Sequence, residues 1–438
     1  MATTTSRESW LGNVLAQAPA LEGTGPLARL RQQADQILRH AALPSPRDEA
    51  WRFTSLAPLT AHEYSRVQAP GQVEHSEVAR YLWPEAEGCR LTFVDGHYAA
   101  HLSSREPGAS LTVRAFSELD GEEWAAMLGR VAPTDGDVMA ALAARHCRDG
   151  ALVRIPADWC EERPIHLLFI STGLPIPSLI APRVLVVAES GCRATLVQAY
   201  VALQETVQAV HAVTEVLVER NARLHHLRVQ SESRLATHLE TWAARLAPSA
   251  HYTLKHITLG GRLSRLDVTI DGQGNEIDAH LDGLALLSGD QVADVHSRLI
   301  HAFPHGRSRQ TQRMILDERS HAIFAGMIKV LPGAVQTDSA QSSRGLLLSP
   351  HARLDTKPEL AIEADDVKCA HGAAIGQLDA DQLFYLRARG ISETESRALL
   401  TYAFASEVLE GVAIPTLRTQ LQAVMLGRTT APRPRLTP

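Results

Sequence analysis

Apolar positions in the first part of the chain recur at helical spacing. Leu27, Leu30, Ala34, Ile37, Leu38 and Ala41 fall three and four residues apart. That puts them on one face of a helix, which Pro44 and Pro46 end. The segment Glu49-Ala50-Trp51-Arg52-Phe53-Thr54-Ser55-Leu56 follows and reads as an aromatic anchor ahead of a loop. From Leu91 to Val113, short alternating runs predict a few strands. From Glu122 to Cys147 the pattern is helical again, with a break at Pro133-Thr134-Asp135-Gly136.

Near Gly150 the period changes. From Leu152 to about His371 the chain is a succession of short β-type runs, such as Arg183-Val184-Leu185-Val186-Val187 and Leu266-Asp267-Val268-Thr269-Ile270. Small turns recur between them at Gly191-Cys192, Asn221-Ala222, Ser249-Ala250, Gly333-Ala334 and His351-Ala352. No long helical period intervenes, which argues against βαβ units. Short strands with small turns suit a sandwich, a barrel or a β-solenoid. The uneven spacing over so long a region favours the solenoid, because each coil rests only on its neighbours.

Helical periodicity returns at the C-terminus. Asp379-x-x-Gln382 and Ser392-x-x-Glu395 fit the capping-box pattern. Gly390 and Gly411 sit where helices end, and Pro415 occupies a favoured first helical position. The second of these helices carries Leu399, Tyr402, Ala403 and Val408 on one side. The expected organisation is an N-terminal domain over 1–149, mostly helical with a few strands, then a solenoid core over 150–376. A helical domain over 377–428 follows, and a Pro- and Arg-rich tail over 429–438 that predicts disorder.

Composition narrows the function classes. The 438 residues are 45% hydrophobic and 21% charged, ordinary globular values. The net charge of −6 disfavours a general nucleic-acid or membrane-surface binder. The five cysteines, Cys89, Cys147, Cys160, Cys192 and Cys369, include no Cys-x-x-Cys pair. This argues against a disulfide framework or a zinc site and for free thiols in a reducing compartment. No signal-peptide layout opens the chain and no apolar run is long enough to span a bilayer, so a cytoplasmic protein is expected. None of the four lysines follows a glycine, so there is no phosphate loop, and no Rossmann fingerprint, nucleophile elbow or His-Glu-x-x-His occurs.

The sharpest chemical segment is Asp365-Asp366-Val367-Lys368-Cys369-Ala370-His371-Gly372. In an extended strand Cys369 and His371 share a face about 6–7 Å apart, with Asp365 on the same side and Lys368 and Asp366 opposite. A thiolate beside an imidazole is a partial iron ligand set that another chain would have to complete. The plainer reading makes Cys369 a small buried hydrophobe and His371 a turn cap. His296, His301 and His305 do not fit one strand face, and the adjacent His225 and His226 face opposite ways, so neither group is expected to share a metal. Arg344 and Arg353 read as surface charges that pair with Glu359, Glu363 or Asp365. Tyr385, Tyr402 and Phe404 fit core packing or a partner-docking face.

Taken together, several segments resemble the SufD family of iron–sulfur cluster assembly subunits. They are Gln341-Ser342-Ser343-Arg344-Gly345-Leu346-Leu347-Leu348-Ser349, Thr356-Lys357-Pro358-Glu359-Leu360-Ala361-Ile362, the Asp365–Gly372 segment, and Leu383-Phe384-Tyr385-Leu386-Arg387-Ala388-Arg389-Gly390-Ile391. Upstream, Asp48-Glu49-Ala50-Trp51-Arg52-Phe53-Thr54 is similar to the N-terminal signature of that family. The sequence departs from the family pattern at Ala325, Gly345 and Ala370, where Asn, Asn and Ser are usual. The related SufB pattern differs, with a His-Glu pair near Lys368–His371 and an upstream cysteine in a Cys-Asp-Ser context that is absent here.

The resemblance implies a right-handed parallel β-helix flanked by helical domains, acting as a non-catalytic scaffold. It implies pairing with SufB at the end of the β-helix and docking of the SufC ATPase on the C-terminal helices, around Phe384, Tyr385, Arg389, Tyr402 and Phe404. It implies a nascent iron–sulfur cluster at the SufB interface, with His371 as candidate iron ligand, Cys369 beside it, and no cofactor held stably by the chain alone. A homodimer in isolation would mimic the heterodimer. Two other readings are a SufB-like scaffold that carries a cluster itself and a β-helix carbohydrate-active enzyme. Aromatic residues at 5% disfavour the second.

Overall fold

The computed structural model describes residues 7–105, 110–119, 124–132, 136–161 and 163–427. The Pro133-Thr134-Asp135 break and the 429–438 tail lie outside the described residues.

The β-type runs form a parallel solenoid in which each coil gives one strand to each of two facing sheets. Numbered in chain order, the first coils are β1 (Gly150–Ile155), β2 (Ile165–Ser171), β3 (Arg183–Ala188), β4 (Arg193–Ala202), β5 (Gln208–Val218) and β6 (Arg223–Ser231). The middle coils are β7 (Thr237–Leu246), β8 (His251–Thr258), β9 (Leu263–Gly272), β10 (Asp278–Leu287), β11 (Val292–His301) and β12 (Arg307–Leu316). The last are β13 (His321–Val330), β14 (Thr337–Leu347), β15 (Arg353–Ile362) and β16 (Val367–Gly376). Odd strands build one sheet and even strands the other. Pairing is parallel and in register, so Val292–His301 lies residue for residue beside His321–Val330.

Register stacking explains why small polar turns recur. Asn221, Ser249, Glu276, His305 and Gln336 all take left-handed backbone conformations, with φ of 57°, 57°, 58°, 61° and 57°. Each donates its N–H to a carbonyl of the next coil's turn, as Ser249 does to Asn275 at 2.9 Å and His305 to Val335 at 2.9 Å. The turn therefore repeats because its backbone hydrogen bonds are satisfied by the coil above.

Interior side chains also stack in columns. One column along the even sheet runs Leu167, Gln198, Arg228, His256, Gly283, Gln312, Ser343 and Ala373. A second runs Ile165, Leu196, His226, Leu254, Leu281, Gln310, Gln341 and His371. The interior begins apolar and becomes polar toward its C-terminal end.

The two outer faces are covered. Against the odd sheet lie α1 (Arg7–Ala16), with Trp10, Leu11 and Val14 buried, and α3 (Val138–His146), packed against Leu179, Ala209 and Leu239. Between them comes α2 (Pro26–Leu38), burying Ala28, Leu30, Ala34 and Leu38. It stops at Leu38, short of Ala41 and of the prolines expected to end it. Among the described residues, the helix expected from Glu122 to Cys147 is confined to α3, where Asp137 caps the first turn by accepting from Met139 and Ala140 N–H. The residues around Trp124 form turns instead. There Glu215 accepts from the N–H groups of Gly129, Val131 and Ala132, a tether local periodicity cannot reveal.

The even sheet is covered by the C-terminal helices α5 (Glu393–Glu410) and α6 (Pro415–Gly427) together with Tyr81 and Trp83. Ser392 and Glu395 form the expected reciprocal capping box. Gly390 is left-handed, at φ 88°, whereas Gly411, at φ −80°, is not. The buried face of α5 is Ser396, Ala398, Thr401, Ala405, Val408 and Leu409, so Leu399 and Ala403 point outward, contrary to the expected grouping. The preceding helix α4 (Ala380–Ala388) buries no residue.

Candidate functional site

The solenoid has two unlike ends. At its start the residues before Gly150 supply covering strands. Thr112–Ala115 pairs antiparallel with β1, and Cys89–Val94 pairs parallel with β2. At the other end β15 pairs only with β13 and β16 only with β14 among the described residues. Two ten-residue strands thus present one edge each without a partner.

Cys369 and His371 stand on this terminal layer. Both occupy inward positions of β16, beside Ser339 and Gln341 of β14. Their shared face agrees with the strand reading. Asp365 does not join them, because it lies in the bend before the strand begins at Val367. Nor does His371 cap a turn, since the strand continues to Gly376. Cys369 is partly buried against the core, while His371 is exposed. Desolvation raises the Cys369 thiol above its ordinary pKa, with Asp338 adding to the rise and the Ser339 backbone opposing it. The isolated chain therefore holds Cys369 as a thiol, a weak metal ligand.

Beneath His371 lies a polar ladder that sequence reading missed. Gln341 donates from Nε2 to Gln310 Oε1 at 2.7 Å, and Gln310 donates to Ser297 Oγ at 2.7 Å. In the neighbouring column Ser339 Oγ lies 2.6 Å from Ser308 Oγ, which lies 2.9 Å from His301 Nε2. The usable signal was Gln and Ser recurring at one coil's interval on alternate positions.

The other candidates separate. His296 pairs with Asp294 at 3.1 Å on the outside, His301 is buried inside, and His305 occupies a turn. His226 points inward and His225 outward. Among the described residues no three metal-binding side chains gather. None of the five cysteines forms a disulfide. Arg353 pairs with Asp355 at 2.9 Å rather than with the acids expected for it. On the C-terminal helices, Phe384 and Tyr385 are 73% and 57% exposed, and Arg389 lies over the Tyr385 ring at 4.9 Å. Tyr402 accepts from Gln422 at 2.8 Å, and Phe404 packs against the even sheet with Arg313 over its ring. The cluster thus splits into an exposed pair with its arginine and two residues held in internal contacts.

The Glu49–Leu56 segment is a strap across the odd sheet. Thr54 Oγ1 donates to Asp294 Oδ2 at 2.5 Å, and Arg265 reaches both Asp294, at 2.5 Å, and the Ala50 carbonyl, at 2.8 Å. The Arg265 guanidinium stacks over Trp51 at 3.9 Å. Toward the open end, Lys357 of β15 meets Glu49 at 2.7 Å. The aromatic anchor is therefore fastened to the solenoid by a buried ion pair.

The fold is a parallel β-solenoid flanked by helices, covered by strands at one end and carrying a Cys-x-His pair on the terminal layer at the other. Residues 169–404 match the family described as the SUF system FeS cluster assembly, SufBD core domain, and residues 20–167 match the SufBD protein N-terminal region. An iron-sulfur cluster assembly SufBD family protein of Synechocystis is 35% identical over 418 residues, covering 92% of this chain and 91% of that protein. The iron-sulfur cluster assembly protein SufD of Escherichia coli is 29% identical over 405 residues, covering 92% and 93%. SufD of Bacillus subtilis is 28% identical over 295 residues, covering 66% and 67%. The chain belongs to the SufBD family of iron–sulfur cluster assembly proteins and is SufD-like within it. Among the described residues no helix is long and apolar enough to cross a membrane.

Proposed function

We propose that this chain is a non-catalytic, cytoplasmic scaffold subunit of a SUF assembly complex, pairing with SufB at its open solenoid end and docking the SufC ATPase on its C-terminal helices. The observation that carries the reading is the asymmetry of the two ends. An uncovered ten-residue edge on each of two sheets is a ready template for another strand, and proteins blunt such edges unless they use them. A second parallel solenoid would continue both sheets and cover the inward face of β16. In isolation a second copy of the chain would fit the same edges.

At that junction His371 supplies a neutral imidazole to iron of the nascent cluster, which is the cargo of the complex. Cys369, held as a thiol, is the lesser contributor, so most cluster ligands and the sulfur chemistry fall to SufB. For SufC, exposed Phe384 and Tyr385 on a helix that buries nothing are the favoured contacts, with Arg389 beside them. Tyr402 and Phe404 would support that surface from behind.

The test is anaerobic cluster reconstitution of the chain with and without SufB and SufC, wild type against His371→Ala. Clusters that form only in the complex and drop sharply in the variant support the reading. Normal clusters in the variant complex would assign His371 a structural role and leave the chain a scaffold alone. A coloured cluster on the isolated chain would favour the SufB-like alternative.

A further inference from the structure

Near its open end the solenoid interior is filled by facing pairs, one per coil. Ser297 of β11 faces Gln310 of β12, and Gly326 of β13 faces Gln341 of β14. In register above them stand Pro358 of β15 and His371 of β16. The Gln341 amide is held from below. Its Nε2 donates to Gln310 Oε1 at 2.7 Å, and Gln310 donates in turn to Ser297 Oγ at 2.7 Å. Gly326 makes the space, since a Cβ there would lie 2.1 Å from that Nε2. Gln341 Oε1, by contrast, has no hydrogen-bond partner, although the side chain is only 3% exposed and the oxygen is shielded from water. Native structures rarely leave a buried acceptor unmade.

Because Gln341 is anchored to the coil below, the coil above is left to supply the donor. That coil offers little choice. Pro358, Leu360 and Ala373 have no polar side-chain atom, and Thr356 already donates to Ser343. Cys369 meets the Ser339 backbone, and a thiol is a weak donor. His371 lies in direct register with Gln341, is exposed, and has no hydrogen-bond partner among the described residues. Neighbouring strands are about 4.8 Å apart, so a turn of the imidazole about its own torsions brings a ring N–H to Oε1.

We propose that Gln341 is the positioning residue of His371: its Oε1 accepts one ring N–H, which fixes a single neutral tautomer and turns the other ring nitrogen, with its lone pair, to the open face. Metal-binding histidines are usually held in this way, by a carbonyl or carboxylate on the second nitrogen. This role rests on the reading of His371 as an iron ligand, and it adds the group that orients the ring.

The experiment reads the ring itself. The full chain is made with isotope-labelled histidine, and long-range proton–nitrogen correlation spectra at mildly alkaline pH give the tautomer ratio of His371. Loss of the signal in His371→Ala assigns it. Wild type is expected to show one tautomer in about fivefold excess or more. Gln341→Leu, which keeps the volume and removes the acceptor, should fall to the ratio of a short histidine peptide. Gln341→Glu, which keeps an acceptor, should restore the excess, and Ser343→Ala, a truncation in the same layer, should leave it unchanged. Thermal unfolding checks that each variant is folded, and Gln341→Met replaces Gln341→Leu if that one is not. Equal ratios in wild type and Gln341→Leu, or equal loss in Ser343→Ala, overturn the proposal. Cluster reconstitution with SufB and SufC separates the two roles. Normal clusters in His371→Ala overturn the ligand reading itself, whatever the tautomer. Clusters lost in His371→Ala but built at the wild-type rate by Gln341→Leu overturn the positioning role alone.

Discussion

Arg228 donates from Nε to Glu240 Oε2 at 2.6 Å, and neither side chain reaches solvent. The two lie on different sheets, β6 and β7, and meet across the solenoid interior. His238 extends the contact, with Nδ1 2.8 Å from Glu232 and Nε2 3.1 Å from Glu240. Tyr200 donates to the other Glu240 oxygen at 3.1 Å. Gln198, Thr214, Gln230 and Thr258 also bond into this buried polar cluster. Removing one member of a buried pair strands its partner's charge. Glu240→Gln, which preserves shape, is expected to cost about 3–5 kcal/mol. Denaturant midpoints check this, and the double change Arg228→Met with Glu240→Leu should be far milder.

Acid should unfold this protein under mild conditions. Burial lowers His146, His166, His211, His226 and His256 to pKa values of about 3 and His301 to about 4. The unfolded chain takes up these protons below about pH 6.5 while the folded chain refuses them. Stability is therefore complete above that pH and falls as pH drops toward the folded values, by about 1.4 kcal/mol per pH unit for each histidine. Acting together, they should give a steep transition near about pH 5, with uptake of several protons. His238 runs the other way. Its pKa is raised by Glu232 and Glu240 against burial, so its contribution is present below about pH 6.5 and lost as pH rises through the folded value. Circular dichroism against pH, with His256→Leu flattening the acid limb, is the check.

Gly283 makes room for side chains of the neighbouring coils. A Cβ there would lie 2.0 Å from Gln312 Oε1 and 2.3 Å from His256 Cε1. Gly283→Ala is expected to destabilise by about 1–3 kcal/mol. Pairing it with Gln312→Ala should restore part of the loss, because the crowding atom is removed. Thermal midpoints of the single and double variants decide the matter.

The strap should loosen when its anchor is removed. Asp294 is buried and held below the usual carboxylate range, against desolvation, by Arg265, His296 and Thr54. Asp294→Asn leaves Arg265 inside with less compensation. Limited trypsin digestion should then cut at Arg52 several-fold faster than in wild type, with the solenoid intact in the fragments. Unchanged cleavage would mean that Trp51 packing alone holds the strap.

Cysteine labelling separates the thiols by environment. Cys160 is exposed, Cys369 is partly covered, and Cys147 and Cys192 are buried with pKa values of about 12 and about 11. With iodoacetamide near neutral pH, Cys160 should react first and Cys369 more slowly, while Cys147 and Cys192 should react only on unfolding. Mass spectrometry of timed aliquots reads the order.

Much of this architecture is written in local pattern. Strand period, small polar turns and the absence of helical spacing predicted the solenoid, because each coil's hydrogen bonds depend only on a repeated backbone shape. The capping box at Ser392 and Glu395 was equally legible, since both partners lie within one turn. The shared face of Cys369 and His371 followed from alternation alone.

What the local pattern could not decide is which alternate face looks inward. Both faces of these strands carry apolar residues, since helices cover the outside and the facing sheet covers the inside. Arg228, Glu240 and His238 therefore looked no different from surface charges, and Leu399 looked as buried as Val408. The strap contact between Thr54 and Asp294 spans 240 residues and exists only because a coil brings them together. Nor does any residue in β15 or β16 announce that its edge is free. That property belongs to the stacking of coils, which ends there because, among the described residues, no further strand follows in register.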